Sequence, residues 1–152
     1  MYKYISDLHL GHANIIKLCN RPFDSVREMD ETIISNYNKA VSKDDIVIIA
    51  GDFCYRNGLS PMEYLEQLNG QKILVFGNHD REIENNIRNY KGYFKKMTHY
   101  LEIKDNKKNI VICHYPISEW NGYYRDTVHL FGHIHNNVEG KAYKEHLEHN
   151  NS

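Results

Sequence analysis

Several short polar clusters in the sequence carry side chains that can bind metal ions. The candidate ligands are two carboxylates, four imidazoles and one carboxamide, namely Asp7, His9, Asp52, Asn78, His114, His133 and His135. Residues two apart in an extended segment point the same way, so each Asp-x-His or His-x-His pair can present two donors to one centre. This set is too large for a single tetrahedral zinc, whose catalytic sites use three protein ligands and a water. The set therefore suits two adjacent divalent ions.

A carboxylate can join two such ions, because it has two oxygens. The carboxylate of Asp52 can bridge ions about 3.5–4 Å apart, and the pair can then clamp the attacking and leaving oxygens of a displacement. Mixed nitrogen and oxygen ligation favours Mn, Fe, Co, Ni or Zn over the all-oxygen sites of Ca²⁺ and Mg²⁺. We expect manganese first, while Fe, Zn, Ni and Co also suit these ligands.

The clusters follow short apolar runs that have the composition of β-strands. These runs cover residues 2–5, 46–50, 73–76, 110–113 and 128–131, and each stops at glycine or at polar residues. In open α/β sheets, ligands bind beyond the carboxyl ends of the strands. The five loops are therefore predicted to meet at one edge, and the continuous apolarity of the runs predicts strands buried on both faces.

Helices are predicted between the strands. Ser25 and Glu28 form a capping-box pattern before apolar residues at helical spacing up to Val41. A second capping box starts at Ser60, with a proline after it, and that helix closes at Gly70. A weaker helix is predicted over residues 81–89, and residues 98–103 and 109–113 are predicted to form a hairpin. The order of elements indicates an α/β fold with a mixed sheet.

Length and charge limit the function further. The chain has 152 residues, with 19 Lys+Arg against 20 Asp+Glu, and is predicted to be one domain over residues 1–152. Its formal net charge of -1 excludes bulk attraction to nucleic acid or an anionic membrane, so a phosphate-bearing partner needs a local site. Three cysteines without a C-x-x-C pair, and no apolar run of about 18 residues, predict a soluble, cytoplasmic protein without a membrane partner.

The motifs taken together resemble the calcineurin-like metallophosphoesterases. The resemblance rests on Asp7-Leu8-His9, Gly51-Asp52, Gly77-Asn78-His79-Asp80, His114 and Gly132-His133-Ile134-His135, in that order. It implies a mixed β-sheet sandwich flanked by helices, with the metal site at the C-terminal ends of the strands. It also implies that one ion takes Asp7, His9 and His135, that the second takes Asn78, His114 and His133, and that Asp52 bridges them.

The resemblance also assigns catalytic roles. A metal-bridging hydroxide would attack phosphorus, and His79 would act as general acid, with Asp80 or a backbone carbonyl fixing its tautomer. Arg56 stands where related protein phosphatases carry a phosphate-gripping arginine in Gly-Asp-x-x-Asp-Arg-Gly, although Tyr55 and Asn57 depart from that segment. Alternatively, Arg56 is a solvated charge in a loop and has no role in the site.

A smaller group within the family is also indicated. His12, with Asn20-Arg21-Pro22-Phe23 after it, resembles small bacterial and phage phosphoesterases, so His12 is a further catalytic candidate, or else a residue that starts a helix. Residues 136–152 are polar and are expected to form a disordered or truncated tail. Family members commonly add a strand there, so we expect lower stability or a partner covering that edge.

The expected function is hydrolysis of a phosphomonoester or phosphodiester, with a small phosphoester as the substrate and a nucleotide as one candidate. Two alternatives stay open: a catalytically inactive metal- and nucleotide-binding regulatory module, and a nuclease. An inactive module has no need of a general acid such as His79, and a nuclease usually needs a basic groove that the charge does not indicate. Aromatic residues after His114, namely Tyr115, Trp120, Tyr123 and Tyr124, are either a wall for a nucleobase or packing. The sequence leaves the oligomeric state open.

Overall fold

Two β-sheets build the core of the molecule. The computed structural model describes residues 1–135 and 141–142. The first sheet is parallel and holds, in spatial order, β1 (Tyr2–Ile5), β2 (Ile46–Ile49), β3 (Gln71–Val75) and β4 (Lys96–Thr98). The second is mixed: β5 (Tyr100–Asp105) pairs antiparallel with β6 (Lys108–Cys113), which pairs parallel with β7 (Val128–Leu130). The predicted α/β sandwich is confirmed.

The two sheets pack face to face. Alternate residues of each strand point to the same side, so each sheet presents an apolar face to the other. Ile48, Ile73 and Val75 of the first sheet contact Leu101 and Ile112 of the second in one apolar cluster. The opposite face of the first sheet packs against the helices, in a larger cluster that includes Val47, Ile49, Leu74, Tyr37, Tyr64 and Ile83. Strands β2 and β3 are therefore buried on both faces, as predicted. Strands β1 and β7 are only partly buried, since they lie at sheet edges.

Within residues 1–135, five α-helices cover the outer face of the first sheet and its loops. They are α1 (Ala13–Leu18), α2 (Val26–Ala40), α3 (Pro61–Glu66), α4 (Arg81–Asn85) and α5 (Ile87–Tyr90). The capping box predicted at Ser60 is complete, with reciprocal bonds to Glu63. The one at α2 is shifted: Ser25 accepts the Glu28 N–H, but the Glu28 carboxylate accepts the N–H of Asp24 instead of that of Ser25.

Three local predictions differ from the structure. The helix predicted over residues 81–89 is broken at Asn86, whose side chain donates to the Glu82 carbonyl and competes with the backbone ladder. The helix expected to close at Gly70 ends at Glu66. Strand β4 was not predicted, and helix α1 was predicted only through the alternative that His12 starts a helix, which is confirmed because His12 is the N-cap residue of α1. Thr98, predicted as the start of the hairpin, ends β4 in the first sheet, and only His99 separates it from β5 in the second.

The ends of the chain add little to this description. The prediction of a disordered or truncated tail over residues 136–152 lies outside the described residues, apart from residues 141–142. No helix formed by the described residues is long and apolar enough to cross a membrane.

Candidate metal centre

Five loops at the carboxyl ends of the strands bring the predicted ligands together. They follow β1, β2, β3, β6 and β7. Three groups of side chains have ligand atoms within 4.8 Å of one another: Asp7, His9 and His135; His9, Asp52 and His79; and Asp52, His114 and His133. The convergence follows from the parallel strand order, which points these carboxyl ends to the same edge.

Two half-sites can be distinguished by distance. In the first, Asp7 Oδ1 lies 3.8 Å from His9 Nε2 and 3.8 Å from His135 Nε2. In the second, Asn78 Oδ1 lies 3.1 Å from His114 Nε2 and 3.0 Å from His133 Nδ1. These are the two groupings that the sequence motifs imply.

Asp52 lies between the half-sites. Its Oδ2 is 3.5 Å from His9 Nε2 and 3.4 Å from His114 Nε2. Its other oxygen, Oδ1, accepts the backbone N–H of His79 at 2.9 Å. The carboxylate is thus held by the backbone on one side and faces both imidazoles on the other.

The residues present fit divalent ions, and the clearest sign is an unpaired nitrogen. His9 is 1% exposed, and its Nε2 is a buried polar atom without a hydrogen-bond partner among the described residues. Buried polar atoms are nearly always paired, and leaving one unpaired costs about 1–3 kcal/mol. An imidazole nitrogen that faces two carboxylates without a hydrogen bond is positioned as a metal ligand would be.

Hydrogen bonds fix the orientation of the buried imidazoles. His114 Nδ1 lies 2.8 Å from the Ala50 carbonyl, so it is the protonated nitrogen and Nε2 is free to bind a cation. His9 Nδ1 lies 3.3 Å from His12 Nδ1. Burial, with His9 and His79 nearby, lowers the pKa of His12 to about 4, so a neutral His12 can accept the His9 proton. His12 therefore orients His9 from behind.

Both carboxylates of the centre are held in the ionised form that a metal needs. Burial alone would raise the pKa of Asp7, but the His9 imidazole, the Ser6 hydroxyl and the backbone N–H of His133 lower it to about 2. Burial also acts to raise the pKa of Asp52, and the His114 imidazole with the His79 N–H outweighs it, so that pKa is lowered.

The ligand loops are strained. Asp7, His9, Asp52 and His133 have φ values of 53°, 51°, 54° and 68°, in a region that non-glycine residues rarely adopt. Gly51 has φ +89°, and a Cβ there would overlap the His114 ring. Backbone strain of this kind persists where the surrounding structure enforces it, and it gathers at functional sites.

Asp80 does not orient His79. Its carboxylate accepts three backbone N–H groups, from Gly77 at 2.7 Å and from Asp52 and Phe53 at 2.9 Å each. Asp80 therefore ties the loop after β3 to the loop after β2, and burial raises its pKa despite these bonds. The expectation that it fixes the His79 tautomer came from sequence adjacency and has no contact behind it.

His79 and Arg56 lie beside the half-sites. The His79 ring centroid is 5.3 Å from that of His9 and 5.4 Å from that of Tyr55. Arg56 is exposed, with its guanidinium carbon 5.8 Å from the Tyr55 ring centroid. Both line a cleft of about 410 Å³ that borders the centre through Asn78. Tyr55 was not predicted as a site residue, yet its ring stacks on His12 at 4.0 Å.

The aromatic residues after His114 divide between the centre and the packing. Tyr115 contacts the His133 ring, with 4.8 Å between centroids. Trp120 instead donates its Nε1–H to the Thr127 carbonyl and packs on Tyr123 and His129. Tyr115 thus contacts two predicted ligands, His114 and His133, while Trp120 packs within its own loop, and a wall for a nucleobase stays a prediction.

Comparisons with known proteins agree with this geometry. A family model described as calcineurin-like phosphoesterase matches residues 3–137. The protein of unknown function AQ665 from Aquifex aeolicus, known from a crystal structure, superposes with a TM-score of 0.72 and 30% identity, covering 97% of this chain and 86% of that one.

Two curated relatives match in part. The uncharacterized protein MJ1445 of Methanocaldococcus jannaschii is 44% identical over 98 residues, which are 62% of this chain and 56% of that protein. The Gene 66 protein of Mycobacterium phage L5 is 34% identical over 80 residues, which are 51% of this chain and 38% of that protein. In both relatives, the matched part is less than two thirds of the protein.

Proposed function

Because the chain belongs to the calcineurin-like phosphoesterase family, we propose that it hydrolyses a phosphomonoester or phosphodiester at the centre formed by its five loops. The observation that carries this proposal is the Asp52 carboxylate, whose Oδ2 lies 3.5 Å from His9 Nε2 and 3.4 Å from His114 Nε2. An acidic oxygen between two imidazoles supports sharing of Asp52 by two ions, the arrangement used for displacements at phosphorus.

The family implies divalent metal ions, and the chain supplies candidate ligands for two. In the proposal, Asp52 is shared and the remaining ligands divide as Asp7, His9 and His135 on one side and Asn78, His114 and His133 on the other. When bound, such ions polarise phosphoryl oxygens and lower the pKa of water. We propose manganese because nitrogen and oxygen ligands suit it, as they also suit Fe, Zn, Ni and Co.

We assign proton transfer to His79. Its ring lies between the His9 half-site and the cleft lined by Tyr55 and Arg56, so a phosphoester whose leaving group occupies that cleft would place the leaving oxygen beside His79. Its backbone N–H is bonded to Asp52, which couples its position to the shared carboxylate. A histidine there can protonate a leaving oxygen, which contributes about 10²–10⁴-fold to a rate.

The cleft favours a leaving group with a negative charge of its own. Arg56 and Arg81 both line it, and neither has an ion-pair partner within the described part of the chain. Guanidinium groups match phosphate and carboxylate oxygens in geometry. Glu82 and Asp80 also line the cleft and oppose them in part, although the buried Asp80 carboxylate faces three backbone N–H groups. A small phosphoester with a second anionic group, such as a nucleotide, is therefore the substrate class that we propose.

The test is hydrolysis by protein stripped of metal and reloaded with Mn²⁺. Its substrates are an aryl phosphate, a bis-aryl phosphate, cyclic nucleotides, bisphosphorylated sugars and short RNA or DNA. We expect turnover of at least one small phosphoester, lost on chelation and in Asp52→Asn. Asp44→Asn, an exposed change away from the centre, is the matched control. Wild-type activity in Asp52→Asn would overturn the mechanism.

The same panel separates the alternatives. Protein that is inert on every substrate, before and after His79→Ala, but binds a nucleotide tightly would be a regulatory module. Selective cleavage of RNA or DNA would identify a nuclease. Equal rates on singly and doubly anionic small esters would contradict only the substrate class assigned to the cleft.

We also propose that the protein works in the cytoplasm. Cys19, Cys54 and Cys113 are all free thiols in the structure. Unpaired cysteines of this kind are typical of a reducing compartment. Fractionation of cells with an antibody to the protein tests this directly.

A further inference from the structure

The Asp7–Leu10 segment carries two predicted ligands in strained backbone, and one side of it is held by the next loop. The N–H groups of Asp7 and His9 each donate at 3.0 Å to carbonyls of Gly51 and Asp52, and that of Leu10 donates to Phe53 at 3.2 Å. These bonds use the N–H groups of Asp7, His9 and Leu10. They leave the carbonyls of Asp7 and Leu8 to be satisfied from elsewhere.

Arg21 satisfies both of those carbonyls. Its Nη2 donates to the Asp7 carbonyl at 2.7 Å, and its Nη1 donates to the Leu8 carbonyl at 2.9 Å. The side chain is half-buried, with Met29 beside it, and it forms no ion pair with any described carboxylate. The rigid guanidinium fork suits two adjacent acceptors, and a charged donor makes the stronger hydrogen bond.

The local sequence explains how Arg21 reaches this place. Asn20 adopts a left-handed φ of 49° after α1. The N–H of Arg21 then donates to the Ile16 carbonyl at 2.8 Å, and the N–H of Asn20 donates to Lys17 at 3.4 Å. This pair of bonds is a Schellman ending, and Pro22 prevents the helix from continuing. The Asn-Arg-Pro segment thus ends a helix and directs one guanidinium at the ligand loop.

We propose that Arg21 is a positioning residue that holds the strained Asp7–His9 loop in the conformation that binds the first ion. The inference rests on the metal centre of the proposed function. Arg21 holds the carbonyl of the Asp7–Leu8 peptide, and the Leu8–His9 peptide is held on both sides, by Arg21 at its carbonyl and by the Asp52 carbonyl at its N–H. These bonds oppose the peptide rotations that would relieve the φ strain of Asp7 and His9. The Asp7 carboxylate and the His9 imidazole therefore keep the directions in which they face His135 and Asp52.

The test compares Arg21→Gln, Arg21→Lys and the control Arg27→Gln, which removes an exposed arginine paired only with Glu31. Calorimetric titration of metal-free protein with Mn²⁺ reads the affinities of the two ions, and circular dichroism melting reads the fold. Loss of groups that orient ligands typically costs about 10- to 100-fold in metal affinity. We expect such a loss for one ion in Arg21→Gln, a smaller loss in Arg21→Lys, and none in Arg27→Gln.

The outcomes separate positioning from simple stabilisation. A folded Arg21→Gln protein with a lower melting temperature but both wild-type affinities would overturn the proposal. If Arg21→Gln does not fold, wild-type affinities in Arg21→Lys would overturn it, since the flexible lysine side chain lacks the rigid planar fork that fixes both carbonyls. Wild-type protein that binds no Mn²⁺, Fe²⁺, Zn²⁺, Ni²⁺ or Co²⁺ would instead contradict the metal centre of the proposed function. If the protein is an active enzyme, we expect Arg21→Gln to lower kcat with little change in KM.

Discussion

The two ends of the parallel sheet use buried charges in opposite ways. At the amino end, the Lys72 ammonium donates to the carbonyls of Leu68 and Gly70 at 2.7 and 2.9 Å. Asp45 accepts the Ser42 N–H and lies 3.2 Å from the chain's amino terminus. At the carboxyl end, the side chain of His9 is also buried, yet its Nε2 has no hydrogen-bond partner in the described residues.

The backbone shows the same division. Four predicted ligands at the carboxyl end have left-handed φ values, whereas Asp45 and Lys72 at the amino end have none. Hydrogen bonds satisfy the charged groups at the amino end, whereas the strained backbone and the unpaired nitrogen at the carboxyl end lower stability. The difference indicates that the polar groups at the amino end serve the stability of the fold and those at the carboxyl end serve function.

The largest effect should come from the same substitution made at each end. Asp52→Asn removes the charge shared by both half-sites, so we expect activity to fall by about 10³-fold, the equivalent of several kcal/mol of metal catalysis. Asp45→Asn should keep activity within about twofold and lower only the stability. Steady-state rates and urea unfolding measure the two quantities. Similar losses of activity in both variants would erase the contrast.

A smaller effect is expected when metal is added to the folded protein. A ligand that binds only the native state at 100 times its Kd raises the free energy of unfolding by about 2.7 kcal/mol. We expect this gain with Mn²⁺ in wild-type protein and in the amino-end variant Lys72→Met, but not in Asp52→Asn. Thermal melts with and without chelator provide the measurement, and a full gain in Asp52→Asn would count against the shared carboxylate.

The smallest effect concerns pH at the amino end. Burial lowers the pKa of Lys72 from its ordinary value of 10.5. The folded state then releases this proton at lower pH than the unfolded state, so stability rises as pH increases through the lowered pKa toward 10.5. Relative to Lys72→Met, wild-type protein should gain stability over this range. Urea unfolding at several pH values checks the sign, and a constant difference would contradict it.

The sequence predicted the features that depend on local pattern. Strands β2, β3 and β6 are short apolar runs that end at polar clusters, and the parallel order then requires the clusters to meet. The grouping of ligands into half-sites also matches the observed distances, although the ligand roles themselves stay predictions. The predicted strand boundaries were wrong where tertiary contacts determine them. Thr98 has the pattern of a strand residue, but it pairs with β3 in the first sheet instead of starting the hairpin of the second sheet.

Roles that depend on side-chain direction were not predictable. Asp80 adjoins His79 in sequence, but its carboxylate turns to backbone amides of two other loop segments. Arg21 was visible only as part of an unexplained motif, because its partners are the carbonyls of Asp7 and Leu8, and a backbone carbonyl has no signature in the sequence. His12 was a candidate because of the motif in which it stands, and the structure shows that its Nδ1 lies against Nδ1 of the predicted ligand His9.

The single residue between β4 and β5 limits how the length of this chain can change during evolution. His99 carries the backbone from one sheet to the other, so β3, which leads to Asn78, and β6, which leads to His114, are linked through neighbouring strands without slack. An inserted residue there would slide one half of the ligand set past the other. The exposed turn at Asn106 and Lys107 joins β5 to β6 at the end of the hairpin, and it carries none of the predicted ligands. Length variation among relatives of this protein should accumulate at that turn and be absent at His99.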